Sequence, residues 1–130
     1  MRKIIFIITT LMIWSLSFAQ QYGQVAKSLP EESLNNNYEK TGSSISVFND
    51  YAAIGASEYN GKIGCVYVYH YNGTSWEYVA KLTASDGEKD DKLGISVSIY
   101  NDVIVAGSSD ANAVYVYEKR ASGWVDMTET

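Results

Sequence analysis

Residues 42–57 read GSSISVFNDYAAIGAS, and residues 94–109 read GISVSIYNDVIVAGSS. The two stretches superpose at an offset of 52 residues. Gly42 falls on Gly94, Ser44 on Ser96, Ser46 on Ser98, Asn49-Asp50 on Asn101-Asp102, Gly55 on Gly107 and Ser57 on Ser109. In each copy Ser alternates with Ile or Val, which is the period of a strand. Asn-Asp then supplies a tight turn, because both residues tolerate left-handed backbone. A small, apolar second strand follows, suited to close packing on both faces. A repeat of short strands at a period near 50 residues signals a propeller or solenoid.

The reading extends outward from this pair. In the first unit, residues 44–48 and 51–56 are strands, and residues 58–62 form a loop. Residues 65–70 are a third strand, with Val66 and Val68 on one face and Tyr67 and Tyr69 on the other. Asn72-Gly73 is a strong hairpin signal. Residues 76–82 are a fourth strand, expected to place Trp76, Tyr78, Ala80 and Leu82 on one face and Glu77 and Lys81 on the other, as a half-wet outer strand does. A charged loop, residues 83–93, leads to the second unit. There residues 96–100 and 103–108 are strands, and the following loop is shorter. Val114, Tyr115, Val116 and Tyr117 then fall on Val66, Tyr67, Val68 and Tyr69, and Trp124 falls on Trp76. The expected fold is all-β, with propeller blades of four antiparallel strands. Ser and Gly on the first strand fit a crowded inner position. Two units do not close a ring of about 4–8 blades. The expectation is therefore a fragment or an oligomer, and the end at Thr130, within the fourth strand, favours truncation.

The N-terminus has a different character. Met1, Arg2 and Lys3 precede an apolar run over residues 4–18, which ends Ser17-Phe18-Ala19 before Gln20. This is the pattern of a secretory signal peptide over residues 1–19, cut after Ala19. The run is shorter than the roughly 20 residues a spanning helix needs, and no later run is long enough to span. Residues 20–41 form an N-terminal segment. Its Val25-Ala26-Lys27 copies Val79-Ala80-Lys81, so residues 22–29 are read as a candidate outer strand of another blade. Residues 42–93 are blade one and residues 94–130 blade two. Removal of Arg2 and Lys3 takes the net charge from −5 to −7. An acidic mature chain argues against nucleic acid or anionic lipid as a partner. Cys65 is the single cysteine, so no internal disulfide forms, and its apolar strand makes it a small core residue.

Candidate chemistry is sparse. The loop Asp86-Gly87-Glu88-Lys89-Asp90-Asp91 lacks the alternating register of an EF-type calcium loop and reads as a solvated connection. His70 has no second His or Cys near it in sequence and reads as a strand-end residue. Trp76 and Trp124 offer a platform for sugar or protein if exposed, but their recurrence favours packing within the repeat. Asn72-Gly73-Thr74 is a glycosylation sequon that doubles as a hairpin turn. The inner strands offer Ser, Ile, Val, Phe and Tyr, not the convergent His, Asp, Glu or Arg of a catalytic propeller.

The motif set resembles a known family. Gly94-Ile-Ser-Val-Ser, Val103-Ile-Val-Ala-Gly-Ser, Ala113-Val-Tyr-Val-Tyr and Trp124, with Lys81-Leu-Thr-Ala-Ser-Asp-Gly between units, resemble bacterial FG-GAP repeats, the blade type of the integrin α-subunit propeller. The family's Phe-Gly appears as Thr41-Gly42 and Leu93-Gly94, and its Gly-Ala-Pro as Gly55-Ala56-Ser57 and Gly107-Ser108-Ser109. Calcium-binding members carry an Asp-rich loop between the first two strands. Here that loop is a two-residue turn, which cannot supply the roughly 6–8 oxygens a calcium ion takes, so no metal and no cofactor is expected. The resemblance implies a non-catalytic, integrin α-like binding module for an unknown protein or glycan, with a role such as cell adhesion at the cell surface. Its location is secreted or extracellular, with the periplasm as the other compartment. The alternatives are a structural or assembly module of a larger surface protein, whether by self-association or by further repeats, and a propeller hydrolase or lyase.

Overall fold

Asn49 and Asn101 both take left-handed backbone, at φ of 48° and 50°. Each therefore folds the chain back within two residues, so that Phe48 pairs with Tyr51 and Tyr100 with Val103. The computed structural model describes residues 40–127. The expected signal peptide, the candidate strand at residues 22–29 and the last three residues lie outside them. Eight strands follow: β1 Thr41–Phe48, β2 Tyr51–Ala56, β3 Cys65–Tyr71, β4 Trp76–Leu82, β5 Leu93–Tyr100, β6 Val103–Ser108, β7 Ala113–Arg120 and β8 Gly123–Asp126. They form two four-stranded antiparallel meanders, β1-β2-β3-β4 and β5-β6-β7-β8. The fold is all-β, with sheets built as propeller blades, and the two sheets close no ring among the described residues. No helix of the described residues is long and apolar enough to cross a membrane.

Both sheets begin alike. Gly42 and Gly94, at φ of 92° and 86°, sit in a register shift that separates the first pair of each sheet from the rest of its ladder. Lys40 and Lys92, also 52 residues apart, precede these glycines with left-handed backbone. Their ammonium groups close equivalent ion pairs, Lys40 to Glu58 at 2.6 Å and Lys92 to Asp110 at 2.7 Å. The hydrogen bond from its lysine holds each carboxyl below its ordinary value, and the bond to Asp110 pushes Lys92 up. The same clamp thus repeats at the foot of both hairpins.

The sheets stack face to face. Ala53, Val66, Val68 and Leu82 of the first meet Leu93, Ile99, Ile104, Ala106, Tyr115 and Tyr117 of the second in one buried core. Each fully buried Val, Leu or Ile contributes about 1.5–3 kcal/mol relative to exposure. The opposite face of the first sheet is a second cluster of Ala52, Ala56, Cys65, Tyr67 and Tyr69. Both faces of β3 are therefore buried. The outward face of the second sheet, which repeats the Ala53 and Val66 face of the first, differs: Val103, Val105 and Val114 are exposed. Tyr115 donates its hydroxyl to Asp86 Oδ1 at 2.8 Å. Its pKa is pushed up to about 12 by burial and then by that bond. Tyr117 is pushed up by burial, and its hydroxyl finds no hydrogen-bond partner among the described residues.

Two local readings change, and a third gains detail. β4 does not keep Trp76, Tyr78, Ala80 and Leu82 on one face. Val68 pairs with Ala80 while Tyr69 pairs with Tyr78, so Val79 is the extra residue of a β-bulge. Before the bulge, Trp76 and Tyr78 share the tyrosine face; after it, Ala80 and Leu82 share the valine face. The segment at residues 58–62 contains a short helical turn, Tyr59–Lys62, in which Asn60 and Gly61 are left-handed. Asn72-Gly73 opens the β3–β4 hairpin as read, within a four-residue loop. Asn72 Oδ1 accepts from the backbone N–H of Thr74 and Ser75, both at 2.9 Å, and Tyr71 pairs with Trp76 across it.

Candidate binding cleft

The stacking of the sheets brings the two Asn-Asp turns side by side. Phe48, Asn49, Asp50, Tyr51, Asn101 and Asp102 line an open cavity of about 400 Å3. Each turn is fixed by its own sheet, since the Asp50 carbonyl accepts from Tyr71 N–H at 2.7 Å and the Asp102 carbonyl from Lys119 N–H at 2.7 Å. The backbone is thus committed, while the four side chains of the turns make no hydrogen bond to another described residue. Two carboxylates and two carboxamides, related by the repeat, remain available at the rim.

Aromatic rings support this end of the molecule. Phe48 meets Tyr100 edge to face, with centroids 4.8 Å apart. Tyr51 lies 4.7 Å from the His70 ring and 6.2 Å from that of Trp124. Lys119 places its ammonium 4.2 Å from the Tyr51 centroid and donates to the Tyr51 hydroxyl at 2.7 Å. Tyr51 is therefore held on several sides, so the cleft base is rigid. Chemically, the arrangement joins an apolar base to a rim of unengaged donors and acceptors, the usual composition of a site for a small polar ligand or a peptide side chain.

The other singled-out residues lie elsewhere. The acidic loop does not converge on one point. Asp86 accepts from Tyr115, Asp91 Oδ2 accepts from Glu88 N–H at 2.6 Å, and Asp90 faces Lys62 at 3.8 Å. No group of three or more His, Cys, Asp or Glu side chains that could hold a metal occurs among the described residues. Trp76 packs on Tyr71 at 5.4 Å and Trp124 joins the core, so neither is an open platform. Cys65 is buried and reduced. The Asn72 side-chain nitrogen, the glycosylation atom of the sequon, hydrogen bonds Ser75 Oγ at 3.3 Å. Sequence reasoning treated the two turns one at a time and missed the cleft between them. The 52-residue offset was its only signal, because equivalent turns of stacked repeats must lie side by side.

No curated protein and no solved structure matches the chain. Residues 76–117, which run from the start of β4 through most of β7, match the family model of the FG-GAP repeat.

Proposed function

We propose that the chain is a secreted, non-catalytic binding module of FG-GAP propeller type, which engages a protein or glycan at the cell surface through the cleft between its two Asn-Asp turns. The observation that carries the reading is the pairing of these turns, whose four polar side chains stay unengaged above an aromatic base. The FG-GAP match over residues 76–117 supports a propeller-type module. The apolar run before Ala19 supports export.

The test is a screen of the purified chain against glycan and extracellular-protein arrays, followed by titration of any ligand found. Replacing Asn49 and Asn101 by Gly, which keeps the left-handed turns, together with Asp50 and Asp102 by Ala is expected to weaken binding at least tenfold with an unchanged circular dichroism spectrum. A ligand bound equally well by this variant, or one chemically turned over by the chain, overturns the reading.

A further inference from the structure

The interface between the two sheets has three working parts. The first is a row of hydroxyls: Ser44 Oγ donates to the Gly94 carbonyl at 2.8 Å, and Ile99 N–H donates to Ser46 Oγ at 3.1 Å. The second is Gly55. A Cβ added there would lie well inside contact distance of the Gly94 carbonyl oxygen, so the absence of a side chain permits this backbone approach. The third is apolar: Ala53 and Val66 are fully buried against a sheet whose Ile99 is 5% exposed.

Every part has a copy that meets nothing in the described structure. On the far face of the second sheet, Ser96 and Ser98 repeat Ser44 and Ser46, and both are exposed. Gly107 repeats Gly55, yet an added Cβ there would touch only the side chains of Ser96 and Ile95. Val105 and Val114 repeat Ala53 and Val66, but are 38% and 60% exposed. The near face of the first sheet carries the receiving groups: Gly42 repeats Gly94, Ile45 repeats Val97, and Val47 repeats Ile99. Ile45 and Val47 are 65% and 55% exposed, whereas Ile99 is buried.

One molecule therefore presents both halves of an interface that it also contains in assembled form. We propose that copies of this chain associate head to tail, with β1 of one copy seated on the β5–β6 hairpin of the next. In that contact Ser96 donates to the Gly42 carbonyl and Ser98 accepts from Val47 N–H, as Ser44 and Ser46 do within the chain. Ala52, Tyr67 and Tyr69 on the near face are already buried, so the contact is confined to the inner strands. Charge permits it: the far face is Val, Ser and Tyr, and its Glu118 is paired with Arg120 at 2.9 Å, so an acidic chain meets itself through neutral surface. A heterologous contact grows into a ring or a filament. Counting the two described sheets of each copy, about 2–4 copies make a ring of propeller size.

Sedimentation velocity of the full chain, from low to high micromolar concentration, tests this. Val47→Lys disables the near face and Val105→Lys the far face; both positions are exposed, and circular dichroism checks the fold. The wild type is expected at a multiple of the monomer mass, and each variant as a monomer. An equal mixture of the two variants keeps one intact near face and one intact far face. It is expected to form a 1:1 dimer and nothing larger. A wild type that stays monomeric, a lysine variant that still associates, or a mixture that stays monomeric each overturns the proposal. If a lysine variant loses the wild-type spectrum, Val47→Ser or Gly107→Ala replaces it, with the same outcomes applying.

Discussion

Gly55 and Gly107 occupy equivalent positions in the repeat but different surroundings, and replacing each by Ala separates the two. A Cβ on Gly55 meets the Gly94 carbonyl oxygen and Ser44 Oγ at impossible distances, and the Gly94 carbonyl carbon at 2.9 Å. The obstacle is mainly backbone, held by the ladder of β5. The sheets must part locally, and overpacking of this kind costs about 3 kcal/mol or more. Removing a flexible glycine from a strand returns only about 0.5–1 kcal/mol. A net loss of at least about 2 kcal/mol, at roughly 4–8 °C per kcal/mol for a domain of this size, lowers the melting temperature by about 8–16 °C or more. At Gly107 the close atom is Ser96 Oγ, the end of an exposed side chain, and the next neighbours lie 3.8 Å or more away. Rotating Ser96 costs about 0.5–1.5 kcal/mol, nearly offset by the glycine gain, so Gly107→Ala is expected within about 1 kcal/mol of wild type. Thermal unfolding followed by circular dichroism, at a concentration low enough to keep copies apart, reads both values. Equal melting temperatures for the two variants would refute the claim that backbone contact between the sheets sets the cost.

Three further outcomes follow from single contacts. Asp86→Ala leaves the buried Tyr115 hydroxyl without its acceptor and should cost about 1–3 kcal/mol in urea unfolding; Tyr115→Phe in the same background should recover part of the loss, and no recovery counts against the contact. The raised pKa of Tyr115, about 12, means that the folded chain keeps a proton the unfolded chain loses near pH 10, so stability is full below about pH 10 and falls as pH rises toward 12; urea midpoints unchanged across that window would contradict it. Asn72→Ala removes two backbone-to-side-chain bonds and should cost about 1 kcal/mol, whereas Asn72→Asp keeps the acceptor, so equal losses for both would rule out the loop-capping role.

Much of the fold was legible because its signals are local. Strands β2, β4 and β6 have the bounds that alternation and turn residues imply, and the turns at Asn49 and Asn101 connect their hairpins as read. What escaped is non-local or carries no residue-type signature. The bulge at Val79 exchanges the faces of β4; the apolar run Tyr78-Val79-Ala80 interrupts the alternation there, but a single apolar residue out of phase does not announce a bulge. The ion pairs Lys40–Glu58 and Lys92–Asp110 join residues 18 apart in each copy, and only the closure of the hairpin shows that they meet. The cleft needs two turns from different sheets and so depends on how the sheets stack. Asn72-Gly73 marks the hairpin correctly, but the side-chain acceptor that organises its loop is not something alternation weighs.

The stretch that matches the repeat family starts in β4, at the outer edge of one sheet, and ends in β7, the third strand of the next. The matched stretch thus bridges two folded sheets and coincides with neither, although each sheet is built from four consecutive strands of its own. Shortening the chain within residues 83–92 leaves β1–β4 whole, whereas shortening it at residue 76 strips the first sheet of its outer strand.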